Sequence, residues 1–106
     1  MKTQDLTGPA LDWAVEEALG GDHTYRPREY STDWSQGGPI IEREEIGIRR
    51  NAPCSDGRQW EASGSITAKG AGYRWGYGPT PLIAAMRCYV ASRLGEEVEI
   101  PDELIV

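Results

Sequence analysis

The stretch TPLIAAMRCYVASRLG, residues 80–95, constrains this chain more than any other. Thr80 stands at an N-cap position, Pro81 at the first helical position and Gly95 just past the end, so the pattern predicts a helix over 81–94. Leu82, Ile83, Met86, Tyr89, Val90 and Leu94 cover one broad arc, while the opposite arc carries only Ala84, Ala85, Cys88, Ala91 and Ser92. Only Arg87 and Arg93 interrupt this pattern. A helix with so little polar surface must be largely buried, and its small-residue face admits close approach by another backbone, within the fold or across an oligomer interface.

A second helix is predicted over 8–19. Thr7 can cap it, Pro9 is tolerated in the first turn, and Leu11, Ala14, Val15, Ala18 and Leu19 form one apolar stripe ending at Gly20-Gly21. Trp13 lies off that stripe and needs a second surface. The segment GGPIIEREEI suits either a short helix near 39–46 opened by Pro39 or an alternating strand. Pro39 and the glutamates Glu42, Glu44 and Glu45 favour the helix. RQWEASGSITA (58–68) reads as a strand, KGAG as a turn, and 71–75 as the strand's hairpin partner. EEVEIP (96–101) reads as a short extended piece, and 22–38 and 49–57 as loops. The expected class is α+β: a single domain over 1–106, with a small antiparallel β-sheet packed by two main helices and a short third one.

Composition narrows the function classes. Of the 106 residues, 39% are hydrophobic and 26% charged, as in a folded globular protein rather than a disordered one. No apolar run approaches the roughly 20 residues that span a bilayer, and the N-terminus lacks the apolar core of a secretory signal. Seventeen acids against eleven bases leave a net charge of −6, and the longest basic run is Arg49-Arg50. Duplex nucleic acid is therefore a disfavoured partner. Cys54 and Cys88 make no disulfide framework and read as two reduced thiols. His23 is the only histidine and sits in a polar loop, which is a poor supply of bases or zinc ligands. Neither a Walker A pattern nor a dinucleotide fingerprint occurs. Asp33, Glu42, Glu44 and Glu45 read as surface charge in an acidic chain rather than as an acid–base pair. No enzyme activity, cofactor or metal is predicted.

Two segments carry the binding expectation. YRWGYGPTP (73–81) sets aromatic rings among Gly76, Gly78, Pro79 and Pro81, and YSTDWSQGGP (30–39) repeats the same ingredients. Read as loops that end in helix-opening prolines, both present backbone N–H groups at a helix N-terminus, where anions are favoured. Tyr30, Trp34, Trp75 and Tyr77 can stack on a planar base. Arg74 and Arg87 can bond phosphate. Asp33, Gly37, Gly38 and Thr80 complete one site if the two segments meet. The competing reading is structural: a chain without Phe needs Trp and Tyr for core volume, and Arg87 can pair with Glu16 or Asp33.

The stretches LTGPALDWAVEEALG, YSTDWSQGGPIIERE and GPTPLIAAMRCYVASRLGEEVEIPDEL resemble the NinX-like family of small proteins encoded by lambdoid and related bacteriophages. The match spans most of the chain, residues 49–72 being the less familiar part. The resemblance implies a phage protein in the cytoplasm of an infected bacterium, and it brings no catalytic residue with it. The expected function is binding, without turnover, of a small nucleotide-derived ligand that acts as a host defence signal. The alternative is an inhibitor or adaptor that grips a host protein through the same aromatic segments. A homodimer through the small face of the 81–94 helix is expected, unless a third helix at 39–46 packs there instead.

Overall fold

The computed structural model describes residues 1–21, 28–51, 57–66 and 72–104, with backbone alone at 65–66 and 72–74. Helix α1 spans Gly8–Ala18, α2 spans Trp34–Glu44 and α3 spans Pro81–Leu94. Strands β1 (Gly47–Arg50), β2 (Trp60–Ile66) and β3 (Gly72–Gly78) form an antiparallel sheet in the order β1-β2-β3. The architecture is α+β, as the pattern predicts. His23, Cys54 and residues 69–71 of the KGAG turn lie outside the described residues, and its Gly72 opens β3.

Helix α3 organises the molecule. It touches all three strands, α1, α2 and the N-terminal turn, and every residue from Ala84 to Ser92 is buried. Its cap forms as expected: the Ile83 N–H donates to Thr80 Oγ1 at 3.1 Å, and Gly95 takes a φ of 94° at the far end. Leu6, Leu11 and Val15 meet Leu82, Met86, Tyr89 and Val90 in one apolar cluster. Each such side chain contributes about 1.5–3 kcal/mol by leaving water. Trp13 packs at the margin of this cluster.

The small face of α3 is covered by the protein's own sheet. A Cβ added to Gly76 would lie 2.2 Å from the Ala84 carbonyl oxygen and 2.4 Å from the Cys88 nitrogen. One added to Gly78 would lie 2.8 Å from Ile83 Cγ2. The face that suggested a homodimer is thus buried against β3, and no third helix is needed to fill it.

Three segments differ from the sequence expectation. YRWGYG is not a loop but β3. Its glycines at 76 and 78 share the face toward α3, and Trp75 and Tyr77 alternate onto the opposite face. Pro79 and Pro81 fall after the strand, where they interrupt no ladder. Residues 34–38 are not a loop either: α2 begins five residues before Pro39, which sits inside the helix. Asp33 is the N-cap, its carboxylate accepting from Ser35 N at 2.9 Å, Ser35 Oγ at 2.6 Å and Gln36 Nε2 at 3.0 Å. Pro39 forfeits a bond to the Ser35 carbonyl only, and that carbonyl lies in the first turn. The helix ends at Glu45 in the left-handed region, with Ile46 N bonded back to Ile41 O at 3.0 Å. Strand β1 takes Arg49 and Arg50 out of the segment 49–57 read as a loop; Arg49 stands opposite Glu61, and the two form an ion pair.

Candidate functional site

The N-terminal residues run along the free edge of β3. The Met1 amino group donates to Val98 O at 3.0 Å, Val98 N returns a bond to Met1 O at 2.9 Å, and Thr3 N donates to Glu96 O at 2.8 Å. The two ends of the chain are thereby stitched together, with Lys2 bridged to Glu97. Between this seam and β3 lies a groove of about 490 Å³. Trp75 and Tyr77 line it from β3, Lys2 and Gln4 from the N-terminal segment, and Ala91 from α3, with Glu96 and Glu97 closing the remaining side. Trp75 is 46% exposed and Tyr77 half-buried.

Gln4 joins the groove's two walls. Its Nε2 donates to the Trp75 carbonyl oxygen at 3.0 Å, and the Tyr77 N–H donates to its Oε1 at 3.0 Å. Arg87 works beside it from inside the fold. It is 7% exposed, its Nε donates to Leu6 O at 2.9 Å and its Nη1 to Tyr77 O at 2.6 Å. Burial lowers the pKa of its guanidinium, with Asp5 opposing the shift. Arg87 therefore ties the N-terminal segment to β3, rather than pairing with Glu16 or Asp33 or reaching a phosphate.

The remaining expected site residues divide between places. Thr80 caps α3 and is not among the residues lining the groove. Arg74 lies on β3 opposite Gly64, with its side chain outside the described residues. Tyr30 is buried, and its hydroxyl donates to Glu16 Oε1 at 2.6 Å; burial and that carboxylate push the phenol up to about 12. Gly37 fits against the Tyr30 carbonyl and the Leu82 side chain, so α2 does approach the first turn of α3. Gly38 lies beneath the Trp34 ring, which is 53% exposed. Both helix N-termini already hold an oxygen of their own cap, Asp33 for α2 and Thr80 for α3. Each cap takes one of the first-turn N–H groups of its helix, Ser35 N in α2 and Ile83 N in α3, so fewer donors remain there for an anion.

Sequence reasoning missed Lys2, Gln4, Ala91, Glu96 and Glu97. No local pattern marks them, because the groove exists only once the chain ends pair. The start of α2 was legible in principle: Asp33 followed three residues later by Gln36 is a capping-box spacing. Among the described residues, no group of three or more His, Cys, Asp or Glu side chains could hold a metal ion, and no helix is long and apolar enough to cross a membrane.

Fold and groove define a class: a small α+β protein with one buried helix backing a three-stranded sheet and a groove at the sheet's edge. The family model described as Bacteriophage P22, NinX matches residues 2–93, and the chain belongs to that family. Among solved structures, the 2.0 Å crystal structure of a phage protein from Bacillus cereus ATCC 14579 is similar, with a TM-score of 0.53 at 12% identity, covering 87% of each chain. At that identity the likeness concerns the fold alone. No curated protein matches the chain.

Proposed function

We propose that this NinX-family protein binds a small, planar, nucleotide-derived molecule in the groove beside Trp75 and holds it without turning it over. The observation that carries this reading is a groove of about 490 Å³ with a half-exposed tryptophan on its wall. Small-molecule sites commonly enclose roughly 300–1,000 Å³, and stacking on an aromatic ring contributes about 1–3 kcal/mol per base. One lysine faces two glutamates there, so the groove suits the base and sugar of such a ligand better than a chain of phosphates. For a phage protein in the host cytoplasm, holding a nucleotide-derived defence signal would silence it by sequestration. That task asks affinity of the groove and no chemistry.

A thermal-shift panel of mono-, di- and cyclic nucleotides tests the reading. A ligand at 100 times its Kd adds about 2.7 kcal/mol of stability, and the shift should vanish in Trp75→Ala. A panel that leaves the melting temperature unchanged rejects it. The exposed Trp34 on α2 supports a second reading, a host protein docked on that helix, since tryptophan is enriched among interface hot spots. A pull-down from host lysate that depends on Trp34 and not on Trp75 would favour it.

A further inference from the structure

We infer that the Trp75 C=O and Tyr77 N–H form a recognition edge for a nucleobase, and that the Gln4 carboxamide holds the place of that base. This rests on the groove reading above and goes further by naming the part of the ligand that is read. Strand β3 is an outer strand of the sheet, so these two groups face away from β2. The Gln4 side chain meets both at once, donating to Trp75 O and accepting from Tyr77 N, each at 3.0 Å. A carboxamide presents one donor and one acceptor on adjacent positions of a single plane. The hydrogen-bonding edges of the nucleobases present the same pair.

Exchange is inexpensive, because Gln4 is exposed and both of its bonds lie in contact with solvent. The neighbouring acceptor limits what can enter. Tyr77 O is already held by Arg87, which also grips Leu6 O. Pairing therefore cannot run on along β3, and the edge receives one planar group rather than an added peptide strand.

The test is isothermal titration of the four nucleoside 5′-monophosphates, each beside its edge-methylated counterpart (N6,N6-dimethyladenosine, N1,N2,N2-trimethylguanosine, N4,N4-dimethylcytidine and N3-methyluridine 5′-monophosphates). Methylation keeps the ring for stacking and removes the edge donor. Binding of at least one monophosphate, weakened tenfold or more by its edge methylation, is expected. Gln4→Ala, which melts near the wild type because the residue is exposed, should bind that monophosphate several-fold more tightly once its own amide no longer competes. Equal binding of parent and methylated forms overturns the edge and leaves the groove reading standing. Weaker binding by Gln4→Ala makes Gln4 a ligand contact and overturns its place-holding role. No binding by any monophosphate, to either protein, overturns the inference, and the wider nucleotide panel then decides separately whether the groove reading falls too.

Discussion

Gly76 lies directly beneath Cys88, so close that a Cβ on the strand would stand 2.4 Å from the helix nitrogen and 2.9 Å from the Cys88 Cα. Backbone atoms cannot swing aside as a side-chain tip can. Gly76→Ala should therefore push β3 off α3 and cost about 1–3 kcal/mol, the usual penalty of overpacking. Gly38→Ala is the contrasting case. Its nearest neighbour beyond the adjoining residues would be the Trp34 ring at 3.9 Å, and its backbone is helical. Pro39 follows directly and crowds a Cβ on the helical residue before it, which offsets the usual helical gain of about 0.5–1 kcal/mol, so the change should be small. Urea denaturation of the two variants checks the contrast.

Arg87 is expected to matter for folding more than for affinity. Arg87→Ala removes the donor from the Leu6 and Tyr77 carbonyls and leaves a buried acceptor unpaired, which costs about 1–3 kcal/mol. Arg87→Lys should recover little, because one ammonium cannot reproduce the fork that reaches both carbonyls. Hydrogen exchange should quicken first over residues 1–6 and at the edge of β3. Unchanged exchange there with weakened nucleotide binding would return Arg87 to the role the sequence suggested.

Two aspartates should respond to acid in opposite senses. Asp12 is buried, and loss of solvent raises its carboxyl pKa, with two hydrogen bonds from Ser31 opposing the shift. The folded state thus binds its proton more tightly than the unfolded chain. The wild type should gain on Asp12→Asn as pH falls through the raised pKa toward the ordinary value of about 3.9. Asp33 is held low by bonds from Ser35 and Gln36. Its contribution is complete above the ordinary value and is lost as pH falls through the lowered one, so the advantage over Asp33→Ala should disappear in acid. Urea midpoints measured between pH 2 and 7 separate the two.

The Cys88 thiol is buried, and burial pushes it up to about 12. In a Cys54→Ser variant, the remaining thiol should resist a disulfide reagent at neutral pH until the fold opens. Its labelling rate should then follow added denaturant. Rapid labelling in the absence of denaturant would show that β3 lifts from α3 in the native state.

Helices α1 and α3 are legible in the chain because their stripes and prolines, and at α3 the Thr80 cap, act over one or two turns, a range at which sequence spacing and geometry coincide. At α1, Thr7 holds the N-cap position without a side-chain hydrogen bond. The hairpin of β2 and β3 was visible only in part. Tyr73, Trp75 and Tyr77 alternate with Gly76 and Gly78 at the period of a strand, yet glycines beside prolines carry the local signature of a loop. Tertiary contact decides the matter: glycine is present at 76 and 78 because α3 passes over them, and that crossing rewards a strand where local propensity opposes one. Packing of the same kind keeps α2 helical through Gly37-Gly38-Pro39, where Gly37 fits between the Tyr30 carbonyl and Leu82. The groove lies furthest from sequence reasoning. Its walls come from Lys2, Gln4, Trp75, Ala91 and Glu97, residues from both ends and the middle of the chain, and only backbone pairing between the two ends brings them to one side of β3.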